Sequence, residues 1–276
     1  MIRWLVLLFG GLLQAGCTSI ERDAVADGLA RQARLERSLV GTETFVLTVF
    51  SRIADPAVPL VVYIEGDGLA WKSRSEPSLN PTPRDPVGLK LAALDGAPNV
   101  LYVARPCQYT PQNQDWNCRA EIWTSHRFSE PVIRSVSQAI DSVRARNGIT
   151  AGVHLVGYSG GGAVAALIAA RRSDVLSLRT VAGNLDHDAL NRLHGVSLMP
   201  HSLNAADVAA NLAHLPQRHL VGGRDTIVPR SVIDSYVRKI GSDRCGTVIV
   251  IDGVSHENGW ESAWRQQGGV LPTCSP

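Results

Sequence analysis

Three residues in this sequence have the means to do covalent chemistry together: Ser159, Asp225 and His256. Ser159 lies in Val153-His154-Leu155-Val156-Gly157-Tyr158-Ser159-Gly160-Gly161-Gly162-Ala163. An apolar run suited to a buried strand ends there in Gly-Tyr-Ser-Gly-Gly and passes into the helix-forming Ala163-Val164-Ala165-Ala166-Leu167-Ile168. A serine on a sharp strand-to-helix turn is a nucleophile elbow. Flanking glycines let strand and helix close around it, and the helix N-terminus favours the negative charge that develops there. Gly-rich turns of this kind also cradle phosphates, but no G-x-x-x-x-G-K-[ST] pattern with its lysine is present. A hydroxyl is a weak nucleophile at neutral pH and needs a base. His256 follows the apolar run Val248-Ile249-Val250-Ile251. Asp225 follows His219-Leu220-Val221-Gly222-Gly223 and can orient the imidazole. Asp186, in Gly183-Asn184-Leu185-Asp186, is a rival acid. Asp252 stands nearer His256 but at the end of the run itself, where a turn carboxylate is expected. His154 lies inside a run and is expected to pack, and His126, His187, His194, His201, His214 and His219 lack the placement of His256.

The elements that must position these groups alternate along the chain. Leu60 to Ile64, Val100 to Val103, Val153 to Tyr158, Leu178 to Ala182, Gln217 to Val221 and Thr247 to Ile251 read as strands. Asp85-Pro86 is a capped helix start leading into Val87 to Leu94. Ser129 is expected to cap a helix from Pro131 to Arg146, and Ser231 to Ile240 and His256 to Arg265 also read as helical. Thr42 to Ile53 alternates like a half-exposed antiparallel edge strand. Such a chain predicts an α/β protein with one open, mostly parallel sheet and helices on both faces. Ligands bind beyond the carboxyl ends of such strands, and all three candidate residues fall there.

At this point the sequence resembles the α/β-hydrolase superfamily, over nearly all of the chain from about Leu60 onward. The resemblance rests on Gly157-x-Ser159-x-Gly161, on Asp225 in Gly222-x-x-Asp225-x-x-Val228-Pro229, and on His256, in the order Ser, Asp, His. It implies a serine hydrolase that attacks a small-molecule carboxylic ester through an acyl-enzyme, with no cofactor and no metal. The peptidase, thioesterase and acyltransferase variants and a non-catalytic binding protein on the same sheet are the alternatives. It also implies an oxyanion hole from the backbone N–H groups of Gly160 and of Asp67, the latter in Glu65-Gly66-Asp67-Gly68; many hydrolases have His-Gly where this chain has Glu65-Gly66. Glu65, Arg105, Trp71, Trp123, His126 and Arg127 are secondary candidates for the cleft. Residues 184–215 are the expected lid or insert.

At 276 residues, 45% apolar, 19% charged and with a net charge of +2, the chain suits a globular domain and carries no field for nucleic acid. Residues 1–16 have signal-peptide proportions: a basic start, then the uncharged run from Trp4 to Leu13. Ala15-Gly16 before Cys17 resembles a bacterial lipobox, with Gln14 in place of the usual aliphatic residue. On that reading Cys17 is lipidated and anchors the protein to a membrane, and Thr18 favours the outer one, facing the periplasm; a soluble periplasmic or secreted protein is the alternative. Residues 17–41 would then be a lead-in helix or linker, and 42–276 a single hydrolase domain. The remaining cysteines are even in number. Of their three pairings, Cys107 with Cys118 and Cys245 with Cys274 are preferred, each local and loop-bound.

Overall fold

The continuous apolar runs become the centre of one sheet. In a computed structural model the described residues are 10–241 and 244–275. In chain order, the first elements are α1 (Gly10–Gln32), β1 (Glu36–Gly41), β2 (Val46–Ile53), β3 (Leu60–Ile64), α2 (Val87–Ala93), β4 (Asn99–Val103), α3 (Ala120–Trp123) and α4 (Glu130–Arg146). The second half contributes β5 (Val153–Tyr158), α5 (Gly160–Ala169), β6 (Val175–Val181), α6 (His187–His194), β7 (Gln217–Gly222), α7 (Arg230–Ile240), β8 (Gly246–Ile251) and α8 (Trp260–Gln267).

The strand order is β1-β2-β4-β3-β5-β6-β7-β8. From β4 to β8 neighbours run parallel, and β2 joins β4 antiparallel with β1 antiparallel beyond it. Alternate residues of β3 face opposite layers, as a strand's period of two requires. Leu60, Val62 and Ile64 pack with α4, α5 and α7, whereas Val61 and Tyr63 pack with α1, α2 and α8. After β3 the chain turns outward to β4, and it later returns to place β5 on the other side of β3. The carboxyl ends of β3 and β5 therefore form the point where strand order reverses, the place where such sheets open a crevice.

Several local expectations are corrected. The lead-in helix ends at Gln32, and Glu36–Gly41 is a strand, so the sheet edge is β1 and β2 lies inside it. Ala26 and Ala30 of α1 are buried against the core, and the Arg22 guanidinium donates to the Thr82 carbonyl at 3.0 Å. Neither Asp85 nor Ser129 makes a side-chain capping hydrogen bond. Pro86 stands at the N-cap of α2, and Asp85 instead pairs with Lys90 at 2.6 Å. His256 lies outside α8, which starts at Trp260. Within 184–215, Leu185, Met199, Ala205 and Leu212 are part of the core, while Leu193, Val196 and Leu198 are exposed. The expected signal segment lies outside the described residues up to residue 9, and α1 runs across Cys17. Among the described residues no helix is long and apolar enough to cross a membrane.

Candidate active site

Ser159 terminates β5 with φ 50° and ψ −121°, a backbone conformation that L-residues seldom hold. It persists because the turn is pinned on both sides. Ser159 N–H donates to the Val181 carbonyl at 2.9 Å, and the Ser159 carbonyl accepts from Asn184 N–H at 2.9 Å and Gly162 N–H at 3.0 Å. A Cβ on Gly157 would stand 2.3 Å from the Gly161 carbonyl oxygen, so the approach of strand to helix admits no side chain there.

The candidate base and acid follow the two strands at the far edge. The turn after β7 is bonded to the turn after β8: Gly223 N–H donates to the Ile251 carbonyl and Arg224 N–H to the Val254 carbonyl, both at 2.8 Å. This brings Asp225 to His256. His256 Nδ1 lies 2.8 Å from Asp225 Oδ2, and His256 Nε2 lies 3.0 Å from Ser159 Oγ. The other oxygen, Asp225 Oδ1, accepts from Ile227 N–H at 2.9 Å and Val228 N–H at 2.8 Å, so the same carboxylate also closes its own turn. The Asp225 side chain is fully buried and that of His256 nearly so. A carboxylate can only accept; His256 Nδ1 therefore carries the proton, and Nε2 is left with its lone pair facing the serine.

Two further residues hold the histidine from behind, and the sequence marked neither. Tyr158 Oη donates to the His256 carbonyl at 3.1 Å and Trp260 Nε1 donates to the same oxygen at 2.7 Å. Burial pushes the Tyr158 hydroxyl well up, with nearby carboxylates adding to it, so it stays a donor.

On the other side of Ser159 lies the turn after β3. A Cβ on Gly66 would fall 3.2 Å from Ser159 Cβ, so the Gly66–Asp67 peptide rests against Ser159. Gly160 opens α5, and a first-turn N–H has no acceptor within its own helix. The Asp67 carboxylate lies beside Gly160 and pairs with Arg105 at 3.2 Å and Arg127 at 3.4 Å. Arg105 is buried, donates also to the Arg127 carbonyl, and stacks with Arg127 on the Phe128 ring. Glu65 is fully buried and accepts from Gly66 N–H, Gly88 N–H, Leu89 N–H and Tyr102 Oη at 2.8 to 3.3 Å. Burial raises its carboxyl above the usual range, against the pull of those four donors.

The remaining candidates are elsewhere. Asp186 caps α6 through Ala189 N–H at 3.1 Å and accepts from Asn204 Nδ2 and Ser235 Oγ at 2.9 and 2.6 Å. Burial would raise its carboxyl, but those donors hold it below the usual range. It serves α6 and α7 rather than His256. His154 bonds Ser177 Oγ at 2.8 Å, and His126 stacks on His201 with ring centroids 4.6 Å apart. Trp123 is buried and donates to the Ser78 carbonyl at 3.1 Å, whereas Trp71 is exposed. Cys107 is bonded to Cys118 and Cys245 to Cys274.

Solved structures share this architecture. The Pyrococcus furiosus esterase Pf2001 matches 85% of this chain and 90% of its own at 13% identity, with a TM-score of 0.61. The chain has the α/β-hydrolase fold. Est1E from Butyrivibrio proteoclasticus matches that fold over 83% of this chain and 94% of its own, at 12% identity and a TM-score of 0.57. A structure described as a membrane phospholipase A and bacterial virulence factor matches 97% of both chains at 17% identity and a TM-score of 0.53. No family model matches the sequence, and no curated protein matches it.

Proposed function

We propose that this chain is a serine hydrolase acting on small-molecule carboxylic esters through an acyl-enzyme on Ser159. One observation carries the reading: a single imidazole bridges Ser159 Oγ at 3.0 Å and Asp225 Oδ2 at 2.8 Å. His256 Nε2 takes the Ser159 proton as Oγ attacks the ester carbonyl carbon. Asp225 steadies the imidazolium so formed. The carbonyl oxygen becomes an oxyanion and is met by the N–H groups of Gly160 and Asp67, each such donor contributing about 3 kcal/mol to the transition state. When the intermediate collapses, the alcohol leaves with the proton held on His256. Water, deprotonated by the same histidine, then releases the acid. That several structures of this fold belong to proteins described as esterases or a phospholipase is in keeping with an ester substrate.

The test is labelling with a fluorophosphonate and turnover of short p-nitrophenyl esters. Ser159→Ala abolishes both, and His256→Ala abolishes turnover with the fold retained. Equal labelling of wild type and Ser159→Ala removes Ser159 as nucleophile.

The site of action is proposed to be the periplasmic side of the outer membrane, with Cys17 as the lipid-bearing residue. Two disulfides suit an oxidising compartment. Cys17→Ser is expected to move the protein from the membrane to the soluble fraction, and unchanged fractionation excludes the anchor.

A further inference from the structure

Gln108 is buried between two residues of positive φ, Cys107 at 70° and Tyr109 at 59°. Side chains other than glycine keep such backbones only where the surroundings over-determine them. Here Cys107 is bonded to Cys118, and Tyr109 N–H donates to Thr82 Oγ1 at 2.9 Å. The bend aims the Gln108 amide at the end of β3. Its Oε1 accepts from Arg105 N–H at 3.1 Å, and its Nε2 donates to the Gly66 carbonyl at 3.0 Å. Those partners leave one orientation of the amide, since an N–H can only donate and a carbonyl only accept.

The Gly66 carbonyl belongs to the same peptide unit as the Asp67 N–H. In a planar trans peptide the two point in opposite directions, so whatever holds the oxygen aims the N–H. The preceding peptide is held too, because Gly66 N–H donates to Glu65 Oε1 at 2.8 Å.

We propose that Gln108 is a positioning residue for the oxyanion donor at Asp67, and that the Cys107–Cys118 crosslink keeps it in place. The inference rests on the serine-hydrolase reading above. Gln108 acts through the Gly66 carbonyl rather than on the substrate, so its loss lets the peptide rotate and weakens transition-state binding alone. Removing an oxyanion donor outright slows turnover by about 10² to 10³. Removing only its support is expected to slow it by about 10- to 100-fold, in kcat rather than KM.

The experiment compares wild type, Gln108→Ala, Gln108→Glu and Cys107→Ala/Cys118→Ala by p-nitrophenyl ester kinetics and by the rate at which a fluorophosphonate modifies Ser159. Gln108→Ala is expected to lower kcat by that factor at unchanged KM, slow phosphonylation in parallel, and remain folded at a lowered melting temperature. Gln108→Glu opposes a carboxylate to the Gly66 carbonyl and is at least as slow at neutral pH. Its kcat relative to wild type rises toward pH 5, where a protonated carboxyl donates again; a purely structural role gives no such rise. The crosslink variant loses kcat in the same direction. Should Gln108→Ala not fold, the near-isosteric Gln108→Glu protein carries the comparison. A kcat within threefold of wild type, or a loss confined to KM, overturns the positioning role. A wild-type protein that neither takes the phosphonate on Ser159 nor turns over any ester overturns the hydrolase reading itself.

Discussion

Replacing Asp225 by Asn changes the charge of one buried group while keeping its shape, and its consequence can be followed atom by atom. Asp225 Oδ1 accepts two backbone N–H groups, at 2.9 and 2.8 Å, and Oδ2 faces His256 Nδ1 at 2.8 Å. An asparagine can keep the first two bonds only by placing its carbonyl oxygen there. Its NH₂ then points at His256 Nδ1, and a donor requires an acceptor. The imidazole proton moves to Nε2, which lies 3.0 Å from Ser159 Oγ and now offers a hydrogen where a lone pair is needed. Losing the correct tautomer lowers turnover by about 10⁴ in such triads, or about 5 kcal/mol at 1.36 kcal/mol per decade. The folded state loses less. Three hydrogen bonds to a charged acceptor give way to neutral ones, a change of about 1–3 kcal/mol in total. The assay is kcat and KM on a p-nitrophenyl ester for Asp225→Asn and Asp186→Asn, with urea unfolding of both and ¹⁵N chemical shifts of the His256 ring. The expected result is a folded Asp225→Asn protein with the Nε2–H tautomer and turnover about 10⁴-fold down, beside an active Asp186→Asn. An Asp225→Asn protein retaining a tenth of wild-type kcat, or an Asp186→Asn protein losing as much, refutes the reasoning.

Two other perturbations test neighbouring parts of the structure. A methyl group at Gly160 would lie 2.1 Å from Asp67 Oδ1, on a carboxylate tied to Arg105 and Arg127; Gly160→Ala is therefore expected to cut kcat about 100-fold or more by displacing the oxyanion turn, and wild-type kinetics would exclude that packing. His219 is fully buried, with Nδ1 2.9 Å from Thr180 Oγ1, and burial pushes it down to about 4 from an ordinary 6.5. Its contribution to stability is whole above pH 6.5 and is lost as the pH falls toward 4, amounting to about 2 kcal/mol by pH 5. The unfolding free energy of His219→Gln should show that much less acid sensitivity than wild type between pH 7 and 5, and parallel pH curves would refute it.

How far the sequence could be read depended on whether a feature was local. The runs of β3, β4 and β5 and the period of α4 are set by consecutive residues, and each lies where its apolar pattern places it. Ser159, Asp225 and His256 were legible because a parallel sheet sends every strand's carboxyl end to one edge. Strand β1 was not, since Glu36, Arg37 and Ser38 are exposed on a sheet edge and follow directly on helical composition. The β2 and β1 pairing, not any local preference, makes it a strand. The capping expectation at Asp85 failed for the converse reason: Pro86 takes the N-cap and Asp85 pairs with Lys90, whereas Ser129 does stand at the N-cap of α4 but without a side-chain bond. Tyr158, Trp260 and Gln108 act on residues 98, 4 and 42 positions away. Nothing in a window around Gln108 announces its bond to the Gly66 carbonyl.

The histidine of the candidate site follows β8, which among the described residues pairs only with β7 and is partly open to solvent along its length. Edge strands open at lower free energy than the core of a sheet. A brief detachment of β8 would lift His256 from Ser159 while the layers around β3 and β5 stay intact. On the hydrolase reading, catalytic output would gauge how firmly the rim is seated, with turnover expected to fall in heat or denaturant before the core yields. The bond from Cys245, at the foot of β8, to Cys274 ties that rim to the C-terminal segment.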